Sequence, residues 1–285
     1  MNWAKGLQAP ELRHRWEMPM VWISVGISAL ALLLSGAVSV ADLSGSLSDL
    51  PTEDQETLRE LAQYGWIVVF GPLVIFVLRY FMASGARANA VRVGPQQFPA
   101  LWAMYVDLAN RLGVTELPRF YVTNGNGVVN AYALSCNTRH KYVVIHAEIA
   151  FLIDSQPKVV EFVLGHELAH HKLGHTSLFR AAIGAVPQFL VLPGRALVRS
   201  QEYSADRLAL YHCPDCLEGC SFLGVGPFMA GQVNHEALYQ QAVEDDRSLW
   251  VRLHNVLSDH AVLVKRFKAL RDMQDKGLGE HGQMF

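Results

Sequence analysis

The sequence predicts an α+β protein in which two N-terminal transmembrane helices lead into a mainly helical domain carrying a small antiparallel sheet. Three observations point there. Two long apolar runs lie close together near the N-terminus, several short β-prone runs separated by turn residues occupy the middle, and segments of helical periodicity fill the rest. The composition agrees. In 285 residues, 51% are hydrophobic and only 18% charged, and the mean hydropathy is +0.16, all shifted from a soluble average toward a chain with a membrane part. A formal net charge of -2 gives no electrostatic case for a nucleic-acid partner. Four cysteines, Cys136, Cys213, Cys216 and Cys220, are too few and too clustered for a secreted disulfide scaffold.

Residues 1–20 read as a polar tail. The first apolar run, "VWISVGISALALLLSGAVSVA" from Val21 to Ala41, is uncharged and long enough to cross a hydrocarbon core of about 30 Å as a helix. The second, Tyr64 to Ala83, carries Arg79 near its end, where a long side chain can snorkel to the interface. Trp22, Trp66 and Tyr80 suit interfacial anchors. A cleaved signal peptide fits the first run poorly, because a polar tail precedes it, the run exceeds a usual signal core and a second span follows. Lys5, Arg13 and Arg15 precede the spans and Arg79, Arg87 and Arg92 follow them, whereas the intervening loop has Arg59 among Asp42, Asp49, Glu53, Asp54, Glu56 and Glu60. Counting Lys and Arg alone, both termini are expected in the cytoplasm. Residues 21–83 then form a two-helix anchor in the cell (inner) membrane with an extracytoplasmic loop, and residues 84–276 form a cytoplasmic domain.

Within that domain, Gly94 to Val114 spaces apolar residues as a helix, stopped by Gly113. Strands are expected over Arg119–Thr123, Val128–Leu134 and Lys141–Ile149, separated by "NGNG" and "SCNTRH", which are turn-rich. Ser155 or Gln156 precedes a helix with Pro157 in its first turn. Further helices are expected over Ser200–Tyr211, Asn234–Leu257 and Asp259–Lys276, with residues 277–285 a frayed tail. The apolar segment Ser177–Val198, uncharged from Ala181 to Gly194 and broken by Pro187 and Pro193, reads equally as a connection packed on the core or as a hairpin touching the membrane or covering a site.

The chemistry concentrates in "VLGHELAHHKLGH", Val163 to His175. His166 and His170 are four apart, so a helix presents both imidazoles on one face, as two ligands of one metal ion require. Glu167 adjoins the first and can reach a water at such an ion without binding it, the H-E-x-x-H arrangement. A third histidine spaced as in metzincins is absent, since Leu173 and Thr176 occupy those positions. "RSQEYSADRLALY" supplies the alternative. Glu202 and Asp206 share one helix face, Glu202 suited to complete a zinc shell and Asp206 to accept a hydrogen bond from a ligand histidine and fix its tautomer. His171 and His175 fall off the ligand face and read as structural or surface residues.

Together, "HELAHHKLGH", the "EYSAD" that follows, the preceding "NAYAL" and the late "DHAVLVKRFKALR" resemble the HtpX-like membrane zinc endopeptidases, relatives of the CAAX prenyl proteases and the mitochondrial Oma-type proteases. The resemblance spans residues 95 to 272 and the two-span N-terminus. It implies a gluzincin-type metallopeptidase domain with one catalytic zinc held by His166, His170 and Glu202, and Glu167 as the base. It also implies a substrate-lining strand at Asn130, Ala131 and Tyr132, and His260 as an oxyanion stabiliser, with Arg266 from the same late motif. Ala261 departs from that motif's usual proline. Polypeptide substrates, membrane or misfolded proteins among them, follow by analogy, whereas two spans cannot enclose the chamber of a CAAX protease. The alternative is a non-catalytic, zinc-stabilised membrane adaptor that binds extended peptides. The patch "HCPDCLEGC", His212 to Cys220, offers Cys213, Cys216 and Cys220 for a second, structural zinc, but the spacing is cramped and no second C-x-x-C accompanies it, so plain thiols are preferred.

Overall fold

The computed structural model describes residues 9–258 and 260–285, and within them the side chains of all but Ala9, Tyr64 and Ile67. Lys5, Asp259 and the Tyr64 side chain, each used in the sequence reading, lie outside that description. Helix α1 (Glu17–Leu43) contains the whole first apolar run. Helix α2 (Thr52–Asn89) contains the second and continues through Pro72. The expected loop is therefore shorter than its acidic composition suggests: Glu53 and Asp54 occupy the first turn of α2, where the helix dipole favours them, and the chain is helical from Thr52 onward. The two helices pack against each other as a hairpin, with Ser35 Oγ donating to the Ala62 carbonyl at 2.5 Å. Both pass the length and apolarity requirements of a membrane span, α1 over Glu17–Leu43 and α2 over Val68–Asn89, and large apolar side chains such as Leu33, Leu73 and Phe81 are exposed along them. Arg79 does not stand at a free interface. Its Nη1 donates to the carbonyls of Ser135 at 3.0 Å and Thr176 at 2.7 Å, fixing α2 to the folded domain.

The domain begins with β1 (Val91–Arg92), α3 (Pro99–Arg111) and β2 (Arg119–Thr123). Next come β3 (Ala131–Ser135), β4 (Lys141–His146) and the short α4 (Ala147–Ala150). The strands form one sheet in the order β1-β2-β4-β3. It is mixed. The β3/β4 pairing is antiparallel as expected, and so is that of β2 with β1, a strand the sequence did not indicate, but β2 and β4 run parallel. Strand β3 starts later than the β-prone run beginning at Val128, because Gly127 with φ +85° and the Val128 N–H bond to the Gly125 carbonyl extend the preceding turn. It lies at the sheet edge, and its outer side pairs with no strand among the described residues.

Helix α5 (Pro157–Lys172) crosses this sheet with Pro157 in its first turn and Gln156 at its N-cap. It packs on α3 and β3 on one side and on α7 (Val191–His212) and α8 (Leu217–Val225) on the other. Every α5 residue from Val159 to Ala169 is buried, and Tyr105, Phe120, Phe162, Leu164 and Phe267 share its core. Between α5 and α7, α6 (Leu178–Ala185) packs against α1 and α2. Ile183, Gly184 and Pro187 are buried while Phe189, Leu190 and Leu192 are exposed, so the apolar 181–194 segment is packed on its inner side and bare on its outer. Gly194 permits this: a Cβ there would lie 2.6 Å from the Pro187 carbonyl oxygen.

The predicted helix over Asn234–Leu257 is two helices, α9 (His235–Asp245) and α10 (Leu249–Leu257). Ser248 accepts from the Val251 N–H and starts the second. Helix α11 (Leu263–Lys276) follows and packs on α7, α8 and α9. The tail from Gly277 corrects the expectation of fraying. It lacks regular structure but Met284 is buried, Asn255 donates to the Met284 carbonyl, and Arg207 donates to the carbonyls of Leu278 and Glu280. Those carbonyls satisfy a guanidinium that is itself buried, which is why a segment without periodicity is held.

Candidate metal centre

Helices α5 and α7 face each other across a cavity of about 580 Å³. His166 and His170 project from successive turns of α5 with their rings edge to face, and their Nε2 atoms are 3.0 Å apart. Glu202 reaches across from α7, Oε2 lying 3.5 Å from His166 Nε2 and Oε1 3.4 Å from His170 Nε2. Three donor atoms around a tetrahedral zinc with bonds of about 2.0–2.1 Å would stand about 3.3 Å from one another. The two imidazole nitrogens, and the carboxylate oxygen nearest to each, have spacings close to that, and one ligand atom from each of the three residues falls within 4.8 Å of the others. The electrostatics also call for a cation. Burial opposes a charged His166, yet hydrogen bonds and charge from Asp206 and Glu202 raise it to about 10, and hydrogen bonds from His166, His170 and His260 hold Glu202 well below the ordinary carboxylate range against its own burial. A divalent ion would meet the demand that protons otherwise satisfy.

The support of His166 is explicit. Its Nδ1 lies 2.9 Å from Oδ1 of Asp206, one turn beyond Glu202 on α7. Arg266 of α11 grips that carboxylate with two bonds, Nε to Oδ2 at 2.7 Å and Nη2 to Oδ1 at 2.6 Å. Its third nitrogen is 3.6 Å from Glu202. Asp206 is fully buried, a position tenable for a carboxylate only with such pairing. Glu167 also lines the cavity, where burial lifts its carboxyl above the ordinary range despite the pull of His166 and His170.

The cavity mouth gathers the remaining expected residues. Asn130 lies just ahead of β3, and with Ala131 and Tyr132 it forms one wall. His260 faces the site, Nδ1 3.4 Å from Glu202 Oε2 with its side chain 69% exposed, and that carboxylate raises its pKa. The four histidines of the α5 region then separate. His171 points away, its Nε2 2.9 Å from the Tyr142 carbonyl, which ties α5 to the sheet. His175 does not sit apart as the helical spacing suggests: its Nδ1 is 2.9 Å from Nδ1 of His170. Helix α5 ends at Lys172, and Gly174 at φ +75° turns the chain back under His170.

The cysteine patch divides. Cys213 and Cys216 meet Glu161 of α5, a residue that sequence spacing did not single out. The Cys216 thiol donates to Glu161 Oε2 at 3.1 Å. Arg111 at 2.6 Å and Lys158 at 3.1 Å already neutralise that carboxylate, so the trio lacks the unbalanced negative charge of the histidine site. Cys220 lies on α8 and is not part of that group, and burial pushes its thiol up to about 12.

A family model for peptidase family M48 matches residues 95–198. The matched stretch runs from the approach to α3 into the first turns of α7 and includes His166, Glu167 and His170, while Glu202 lies beyond it. The match supports the M48 metallopeptidases, which are zinc-dependent enzymes acting on polypeptides. No curated protein and no solved structure matches the chain.

Proposed function

We propose that this chain is a membrane-anchored zinc endopeptidase of the HtpX-like kind, with His166, His170 and Glu202 as the metal ligands and Glu167 as the catalytic base. The observation that carries the reading is the convergence of those three donor atoms, from two helices, on a cavity that Glu167 also lines. When bound there, zinc would supply the Lewis acidity that polarises a scissile carbonyl and acidifies the attacking water. Glu167, in the cavity wall beside the donor atoms, would take the proton of that water and deliver it to the leaving amine. His260, at the cavity mouth 3.4 Å from Glu202, would stabilise the negative charge that develops on the carbonyl oxygen. Asp206 accepts the Nδ1 proton of His166 and so directs the Nε2 lone pair into the site. The open edge of β3 offers backbone groups for an extended peptide to pair with across the cavity, which orients a polypeptide without demanding a particular sequence.

Membrane placement follows from the same scaffold. The exposed apolar faces of α1 and α2 require lipid, and the Arg59–Asp42 ion pair lies about one hydrocarbon thickness along α2 from Arg79. The bare apolar turn around Phe189 and Leu192, beside α1 and α6, faces the same layer. With Arg13, Arg15, Arg87 and Arg92 on the domain side, both termini and the domain, residues 84–276, are cytoplasmic in the inner membrane. Substrates are then membrane or misfolded proteins reaching the cavity along the bilayer surface. A zinc-stabilised adaptor would have no use for a buried Glu167 in the cavity wall.

The test is metal analysis and casein cleavage by the purified chain and its Glu167→Gln variant. Wild type is expected to hold one zinc and cleave. The variant should keep the zinc and lose cleavage by a factor of at least about 10²; undiminished proteolysis by Glu167→Gln overturns the assignment.

A further inference from the structure

The first turn of the membrane helix α1 reaches the metal centre through a chain of buried side chains. His170 presents Nε2 to the donor triangle and Nδ1 to His175, the two Nδ1 atoms 2.9 Å apart. His175 is 2% exposed, and on its far side Nε2 stands 3.2 Å from Oε1 of Glu17, close but not aligned as a hydrogen bond. Glu17 is the first residue of α1 and its side chain is completely buried. Two guanidiniums compensate it, Arg180 of α6 at 2.8 Å and Arg13. Arg13 also donates to the Leu173 carbonyl at 2.7 Å, which holds the tail against the end of α5.

One placement of protons satisfies the contact between the two imidazoles and puts the His175 N–H on the side of the Glu17 charge. For His170 to offer a lone pair at Nε2, its proton must be on Nδ1. That proton is donated to Nδ1 of His175, which therefore carries its own proton on Nε2, the nitrogen that stands 3.2 Å from the carboxylate of Glu17. Were His175 to take the other tautomer, two N–H groups would oppose each other at 2.9 Å. His170 would then be driven to carry its proton on Nε2, where it could not ligate. A negative charge at Glu17 is what biases His175 against that state.

We propose that His175 and Glu17 are positioning residues that hold His170 in its ligating tautomer and orientation, so that the membrane helix α1 contributes directly to the metal site. The proposal rests on the reading of His166, His170 and Glu202 as ligands. It gives His170 the same kind of support that Asp206 and Arg266 give His166, a carboxylate neutralised by arginine, but relayed through a second imidazole and supplied from the opposite end of the chain.

The test uses the full chain in detergent, with zinc affinity measured by chelator competition and ligand geometry by the visible absorption of the cobalt(II)-substituted protein. Wild type should bind one zinc. His175→Phe should weaken zinc binding by roughly 10–100-fold and alter the cobalt spectrum. Glu17→Gln, which is isosteric and removes only the charge, should weaken it by roughly tenfold. His175→Gln should recover most of the affinity, since its amide oxygen can accept from His170 and its amide N–H can face Glu17. If His175→Phe does not fold, Glu17→Gln decides. Folded Glu17→Gln or His175→Phe with wild-type zinc affinity and an unchanged cobalt spectrum overturns the proposal while leaving the ligand assignment intact. Wild-type protein that binds no zinc overturns the ligand assignment itself.

Discussion

Asp206 and Arg266 form the deepest charged pair beside the site, and the cost of separating them can be worked out in advance. Asp206 is fully buried and its oxygens receive two guanidinium bonds of 2.6 and 2.7 Å. Replacing Arg266 by Met keeps much of the volume but leaves a carboxylate with only His166 as partner. Breaking a buried pair from one side costs about 3–5 kcal/mol, because the remaining charge is unpaired. For a chain of this size each kcal/mol lowers the unfolding midpoint by about 2–4 °C, so a fall of roughly 10 °C is expected. Asp206→Asn in the same background removes the stranded charge, and the double variant should melt higher than Arg266→Met alone, with a coupling of about 2 kcal/mol. The melts are run in detergent with a chelator present, so that metal affinity does not enter. Strictly additive losses, or an Arg266→Met variant within a degree or so of wild type, would refute the argument that this pair is held by mutual compensation.

Three other outcomes are expected. Gly219→Ala should destabilise by about 1–3 kcal/mol, since its Cβ would meet Phe162 Cβ at 2.5 Å and the Lys158 carbonyl at 3.0 Å where α5 and α8 touch; a wild-type melting point would contradict it. Gly65→Ala should loosen the α1/α2 hairpin, its Cβ falling 1.9 Å from that of Ser35, whereas Gly36→Ala, with no atom within 4 Å, should be neutral or stabilising, and equal melting of the two variants would count against close packing there. Stability should fall on acidification from about pH 6.5. Burial and the neighbouring His281 depress His14 to about 3, so the unfolded chain takes up a proton near pH 6.5 that the folded chain refuses. The stability contributed is complete above 6.5 and is lost as pH falls toward 3, roughly 2 kcal/mol of it by pH 5. His14→Phe should flatten that slope in melts taken from pH 7 to 5.

What was legible in the sequence is what short-range geometry encodes. The bounds of β2 follow from its alternation and flanking turns, the start of α5 from Pro157, and the facing of His166, His170, Glu202 and Asp206 from two four-residue spacings on helices. The parallel pairing of β2 with β4 is not local, since β3 intervenes in the chain but not between the two strands. The helical start of α2 was hidden because charged residues that read as a loop are also good helix formers. His175 was misplaced because helical geometry was extended five residues past His170, beyond the point where α5 ends and Gly174 reverses the chain. The signal that could have corrected this was present: a glycine after a run of helical residues marks a C-terminus. For Glu17 no such signal exists, because a lone acid at the head of an apolar helix looks like an interfacial residue until its partner on a distant segment is known.

That partner changes what the α1/α2 hairpin does. Arg13, Glu17 and Arg180 come from the tail, α1 and α6, and they meet against the end of α5, Glu17 and Arg180 buried and Arg13 half-buried. Any movement of α1 relative to the domain would strand at least one of these charges, at the several-kcal/mol cost that applies to Asp206. Arg79 adds a second tie from α2 to the carbonyls of Ser135 and Thr176, the latter next to His175. The hairpin is therefore clamped to the segment 173–176 from both of its helices, and that segment lies directly behind His170. A tether that only held the domain near lipid would need neither contact, and could join it through a loose linker. Rigid attachment at this point instead makes the register of α1 and α2 a determinant of where the His170 ring sits.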